Sequence, residues 1–354
     1  MAKTPWLTVV IPVYRAEHSI SQAILSVTNQ GVEGVEIICV DDCSPDESSD
    51  VISSLQPSHP TLRLLRHDVN QGPGPTRNSG IEAAAGDYIV FLDADDSLID
   101  GGLRELKEKI TDSPDLILVG CEEIRRGKVR SLTEGALSRA LSGKTITNVF
   151  DEPRILFWPP APWSKVYRRG FLRQHRLQLD EGVAQDIPWS AGVTLTAEKV
   201  SLSDSPFYRY VTAAKDSSIT TTKSEKNLVR IAQVRAIRED NDVAALPPEV
   251  RSHLSALAAI HLIWSNRAAY RLLPDNSHES FFHESTAELN AWLSLQPIPR
   301  DLDSSPLMGA ADRTLYAKAL ARDDWRLWQK TLARQAQKKT VRRFLRSGRV
   351  LGKK

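Results

Sequence analysis

The stretch "YIVFLDADDSL", Tyr88 to Leu98, decides how the chain is read. An apolar run leads straight into three carboxylates, Asp93, Asp95 and Asp96. The run has the β-branched and aromatic character of a buried strand. Like charges repel at that spacing, and no Lys or Arg lies among them, so a cation from elsewhere is expected to face them. In an extended strand end, residues i and i+2 project to one side. Asp93 and Asp95 would then form a hard-oxygen pair suited to Mg2+ or Mn2+, ions that keep waters and complete their shell with substrate phosphates. A D-x-D pattern is short and common. The competing reading is that Asp96 caps a helix beginning near Ser97 and the other acids are solvated.

The neighbouring segments weigh against that plainer reading. "LTVVIPV" and "VEIICVDD" are further apolar runs, the second ending in Asp41 and Asp42. Ile20, Ile24 and Val27 repeat at helical spacing within Glu17–Gln30. Ser44 with Glu47 has the pattern of a capping box opening the next helix. "TLRLLRH" reads as a third strand, and "GPGPTRNSGIEAAAG" as a Gly/Pro loop feeding a small-residue helix that stops at Gly86. "DLILVGCEEI" is a later strand. Strands alternating with helices imply a parallel α/β sheet, with ligands at the carboxyl ends of the strands. Asp41, Asp42, Asp93 and Asp95 all fall at that edge. A carboxylate there can accept a nucleobase N–H, or it can serve turn chemistry in "DDCSPD". Arg77 and the backbone N–H groups of a helix start suit a phosphate. Neither G-x-G-x-x-G nor the Walker pattern is present.

The 354 residues carry 41% hydrophobic and 25% charged side chains, ordinary values for a soluble globular protein. No apolar run approaches the ~18–20 residues of a membrane-spanning helix. The N-terminal run is read as a strand and not a signal peptide. Three cysteines without metal spacing fit a reducing cytosol. The net charge of +2 conceals an asymmetry: Trp325–Lys354 holds 11 Lys and Arg and no acid. A basic tail points to an anionic membrane surface or anionic polymer as partner, with a solvated terminus as the alternative and no nucleic acid expected. Residues 223–340 read as helical, with amphipathic patterns at Val250–Leu273, Thr286–Leu295 and Arg313–Thr340. "PDNSHES" and "PIPRDLDSSP" read as loops between them. These helices are candidates for homo-oligomer contacts.

Taken in order, "VVIPVYRAE", "VDDCSPDES", "NQGPGPTRNSG", "AAAGDYIVFLDADD", "PWSKVYRRGFL" and "EGVAQDIPW" resemble the family 2 glycosyltransferases of the GT-A fold. The resemblance covers roughly residues 7–220. It implies a Rossmann-like mixed sheet flanked by helices, over residues 1–222, with a helical C-terminal extension and a basic tail at 341–354. Residues 1–120 would be the nucleotide-binding half and 121–222 the acceptor and base half. It also implies inverting transfer of a sugar from a nucleoside-diphosphate sugar, UDP-linked by preference, to an acceptor hydroxyl. That acceptor would be a cell-surface polysaccharide, a teichoic-acid-like polymer or a glycolipid. The setting would be cytoplasmic or peripheral at the inner face of the membrane.

Position by position, Pro12 and Tyr14 would line the nucleoside pocket, and Asp42, with Asp41, would accept the base N–H. Arg77 would face the pyrophosphate, Asp93 the ribose or the metal, and Asp95 the metal. Asp186 matches the general base. Trp163 and Lys165 are candidates for acceptor contact, Lys165 and Arg168 for steering phosphates, and Arg209 or Lys215 for touching the diphosphate. The family's acidic pair is Gln185–Asp186 here, with Glu181 as a second candidate base. Cys43 stands where Gly is usual and Thr76 where Ala is common. Two other classes compete. A nucleotidyltransferase would need a Gly-rich basic loop where "PVYRAEHS" stands. A non-catalytic sugar-nucleotide or glycan-binding protein on the same fold would not need Asp93, Asp95 and Asp186 together.

Overall fold

Four apolar runs become parallel strands: β1 (Leu7–Val13), β2 (Val35–Asp41), β3 (Leu62–Arg66) and β4 (Tyr88–Phe91). β1, β2 and β4 are almost wholly buried, as expected for strands covered on both faces. They are linked by α1 (Ile20–Thr28), α2 (Ser48–Leu55) and α3 (Pro73–Ala83). The computed structural model describes residues 4–125, 127–133, 141, 148–212, 225–297 and 323–331. Among the described residues, β5 (Ser97–Leu98), α4 (Gly102–Lys109), β6 (Leu116–Arg125), β7 (Lys128–Ser131), β8 (Lys165–Arg168), α5 (Arg169–Gln174), α6 (Asp186–Thr196) and β9 (Val200–Thr212) follow.

The sheet runs β3-β2-β1-β4-β8-β6-β9-β5, with β7 beside β6. Its first four strands are parallel, as the strand–helix alternation predicts. β8 then enters antiparallel to both β4 and β6, so the sheet is mixed. Val13 pairs with Asp41, and Val10 with Phe91. The carboxyl ends of β1, β2 and β4 therefore share one edge. Because β8 is reversed, its start lies at that same edge, Val166 pairing with Val90.

Three local expectations are corrected. α2 begins at Ser48, with Glu47 and not Ser44 at its cap position. Asp46 takes over, accepting from the Ser48 N–H at 3.2 Å and its hydroxyl at 2.6 Å, while Ser44 accepts the Arg15 N–H. No helix starts at Ser97, which pairs with Arg209 in a two-residue strand. "PDNSHES" is a loop only at Pro274, because Asp275–Ser277 form a single 3-10 turn and the next helix begins at His278, burying Phe281 and Phe282.

Chain contacts divide the protein into two compact units, Met1–Ile219 with Glu239–Asp242, and Thr220–Arg238 with Val243–Lys354. The second contains α8 (Pro248–Leu272) and α9 (His278–Leu295), the helix α7 (Arg230–Asp240) contributing its first turns. Leu254, Ala258, Leu262, Phe282, Leu289 and Trp292 are buried there. Arg235 and Arg238 both reach the buried Glu288, at 3.0 and 3.3 Å. Most of the Arg313–Thr340 pattern and all of the 341–354 tail lie outside the described residues, as does Lys215. No described helix is long and apolar enough to cross a membrane.

In the first unit α3 lies close against β1, with Gly80 directly on the Val10 side chain. A Cβ on Gly80 would stand 2.2 Å from Val10 Cγ1. Gly80→Ala should therefore destabilise the protein by about 1–3 kcal/mol through overpacking, read by thermal melting. Val10→Ala in the same chain should recover part of that loss, and a simple addition of the two losses would refute the contact.

Candidate active site

The acidic segment leaves the sheet before it reaches its carboxylates. β4 ends at Phe91, and Asp93–Asp96 form a turn closed by the Asp96 N–H on the Asp93 carbonyl at 3.0 Å. The extended i, i+2 geometry expected for Asp93 and Asp95 is thus replaced by a turn. A cation does face the turn, and it comes from α3: Arg77 Nη2 lies 2.6 Å from Asp93 Oδ1. The Arg77 side chain is 8% exposed, and its Nε has no hydrogen-bond partner among the described residues. Its guanidinium also stands 5.9 Å from the Phe91 ring centre.

Asp96 faces inward. Its carboxylate accepts the Tyr208 hydroxyl at 2.6 Å and the Val211 N–H at 2.7 Å. Burial first, and the charge of Asp93 second, push its carboxyl up to about 8. Tyr208 also accepts the Asp93 N–H at 3.2 Å, so β9 holds the acidic turn at both ends. The capping role weighed for Asp96 is replaced by this anchoring one. Asp95 points outward. Partial burial and the Asp93 charge beside it hold its carboxyl above the usual carboxylate range, an effect that solvent partly screens at an exposed side chain. A divalent cation would relieve that repulsion. The all-oxygen donor set of Asp93 and Asp95 fits the chemistry of Mg2+ or Mn2+. No group of three or more His, Cys, Asp or Glu side chains placed to hold a metal ion occurs among the described residues.

Around the same edge, Tyr14 is 44% exposed just past β1, with Arg15 lying 5.4 Å over its ring. Pro12 sits half-buried one strand position before Val13. Asp41 is fully buried and accepts the Ser49 hydroxyl at 2.7 Å and the Ser44 N–H at 3.3 Å. Asp42 accepts the Gln71 and Gly72 N–H groups at 2.9 and 2.8 Å and bonds His67 at 2.8 Å. Both carboxylates thus brace the loops, and neither presents an open oxygen to a nucleobase in this conformation. Asp41 bonds within "DDCSPD", to the Ser44 N–H, while the partners of Asp42 lie 25 to 30 residues further along the chain. Cys43 adopts a left-handed backbone, φ 57°, a conformation that favours the Gly usual at this position.

The second half of the unit supplies the remaining candidates. Asp186 opens α6, where a carboxylate favours the helix dipole. Three residues on, Trp189 donates to the Tyr167 hydroxyl at 3.2 Å and Tyr167 to the Pro162 carbonyl at 2.8 Å, tying α6 to β8. Glu181 is exposed in the preceding loop. Trp163 is nearly buried and stacks on Tyr208 with ring centres 4.4 Å apart, and on Tyr210 at 5.9 Å. Its best-defined partners are therefore inside the protein. Lys165 is 1% exposed and donates to the Pro159 carbonyl at 2.7 Å. Its amine is turned away from solvent. Arg168 is paired with Asp115, and Arg209 with Glu122 at 2.6 Å, which engages both proposed phosphate contacts elsewhere.

Residues 8–172 match the family model described as glycosyl transferase family 2. This segment, just under half of the chain, is similar to that family. Of similar proteins, an uncharacterized glycosyltransferase of Bacillus subtilis, EpsJ, is 28% identical over 58% of this chain and 61% of its own length. A poly(ribitol-phosphate) beta-glucosyltransferase of Bacillus spizizenii is 28% identical over 58% of this chain and 32% of its own. The chain thus spans less than two thirds of either glycosyltransferase. The crystal structure of S. aureus TarS 1–349 in complex with UDP-GlcNAc superposes with a TM-score of 0.68 at 19% identity, over 94% of this chain and 91% of that one. The architecture is accordingly the GT-A fold with a helical C-terminal region.

Reading the family motifs did not reveal Tyr208, His67 or the buried state of Lys165. Burial pulls the Lys165 amine down to about 7, against the opposing charge of Asp186. The unfolded value is about 10.4, so between about pH 7 and 10 the unfolded chain binds the extra proton and stability rises with pH. Lys165→Met removes that linkage. The stability of the wild type minus that of the variant should therefore grow across this window and stay level below it, measured by urea unfolding. A pH-independent difference would refute the buried amine.

Proposed function

We propose that the protein is an inverting glycosyltransferase that moves a sugar from a nucleoside-diphosphate sugar, UDP-linked, to a hydroxyl of a surface polymer or glycolipid. The observation that carries this reading is the buried Arg77 and the Asp93–Asp95 turn meeting at the carboxyl edge of the sheet. Cation and carboxylates there match a diphosphate and its counter-ion. The poly(ribitol-phosphate) beta-glucosyltransferase relative supports a polymer acceptor of the teichoic-acid kind.

Tyr14 and Pro12 would line the base pocket, with Asp42 shaping it through the loop it braces. Arg77 would bind the diphosphate, sharing Asp93 with the metal that Asp95 completes. When bound, Mn2+ or Mg2+ would neutralise charge gathering on the departing diphosphate. Asp186 would accept the acceptor hydroxyl's proton as that oxygen bonds to the anomeric carbon. The electron pair of the breaking C–O bond leaves with the nucleoside diphosphate. One carboxylate suffices for a single displacement, so the Gln at 185 removes no required group. The basic tail would hold the enzyme near an anionic surface at the inner face of the membrane.

Calorimetry with UDP, with and without Mn2+, tests the donor site. Binding should require Mn2+ and vanish in Asp95→Ala. Asp186→Asn should bind UDP as the wild type does and lose roughly 10²–10⁴-fold in turnover of UDP-sugars. Metal-dependent binding without turnover of any sugar nucleotide would favour the non-catalytic binding protein. No nucleotide binding at all would overturn the reading.

A further inference from the structure

Asn78 follows Arg77 on α3 and carries none of the roles above. Its side chain reaches 101 positions along the chain: Nδ2 donates to the Leu179 carbonyl at 2.8 Å, and Oδ1 accepts the Leu179 N–H at 2.9 Å. A side-chain amide bonded to both polar groups of one residue fixes that residue's position and its rotation. Gly74 lies four residues earlier, on the same helix face. A Cβ there would stand 1.9 Å from the Asp180 carbonyl oxygen and 3.5 Å from Gln185 Cγ. The buried Gln185 directly precedes Asp186. Between Leu177 and Ala184, Leu179 is the point at which the backbone is hydrogen-bonded among the described residues. The segment also contains two residues in left-handed conformation, Gly182 (φ 93°) and Ala184 (φ 64°).

We propose that Asn78 is a positioning residue for Asp186. It sets the register of the 179–186 segment on the helix that presents Arg77 to Asp93, so one helix spaces the base from the donor site. This rests on Asp186 being the base. Chemistry of this kind is sensitive to placement, and a shift of about 1 Å can cost 10²-fold in rate.

The test uses the full chain with Asn78→Ala and Asn78→Asp. Hydrogen exchange should show the Leu179 amide, which Asn78 holds, exchanging roughly tenfold faster in Asn78→Ala. Affinity for UDP with Mn2+ and the donor KM should stay within about twofold, while kcat on a UDP-sugar falls by about 10²-fold. Asn78→Asp keeps the acceptor for the Leu179 N–H and should lie between. It also carries the test if Asn78→Ala fails to fold. Unchanged exchange at Leu179, or a loss of UDP affinity in step with turnover, would overturn the proposal. Full turnover in Asp186→Asn, with the segment still loosened by Asn78→Ala, would instead remove the base assignment and leave the clamp standing.

Discussion

The close seating of α3 is the constraint on which the candidate site depends. At Gly80 the helix meets Val10 of β1, and at Gly74 it meets the Asp180 carbonyl, in each case with no space for a methyl group. Close approach on two sides fixes the helix in height and rotation, because packed interiors do not deform continuously. Arg77, between those two contacts, can then be buried and still reach Asp93 at hydrogen-bonding distance. A loosely held helix could not keep a guanidinium whose Nε is left unpaired out of water.

The acidic turn shows how a chain tolerates carboxylates that repel. Each is handled differently. Asp93 is paired with a cation, Asp96 is buried with a hydroxyl and an N–H, and Asp95 is turned outward. Holding Asp93 and Asp96 leaves Asp95 as the group whose charge the protein itself does least to balance. In this division of labour the protein keeps one carboxylate available while the turn around it stays rigid.

Much of this fold is legible in the sequence, and the physical reason is local. β1, β2 and β4 are continuous β-branched runs because both faces are covered, and α3 is announced by its Gly and Pro residues. What the sequence conceals is non-local. Asp96 looks like a cap because its partners, Tyr208 and Val211, lie 112 and 115 residues away. Lys165 reads as a surface cation because lysines are seldom buried, although the aromatic and apolar residues around it are a signal that could have been weighed. β8 is four residues long, too short to reveal its direction. The acids at Asp41 and Asp42 are rightly placed at the sheet edge, but position alone does not tell a ligand contact from a loop brace.

The reversed direction of β8 has a consequence for how such a chain can change. In a parallel strand the segment that follows it reaches the ligand edge, whereas in β8 it is the segment that precedes it. The stretch from Phe157 to Ser164 therefore approaches the rim from the second half of the sheet, outside the β1–β4 framework. Insertions or exchanges there leave the register of the first four strands untouched. The four parallel strands can be kept while the facing side of the rim is rewritten.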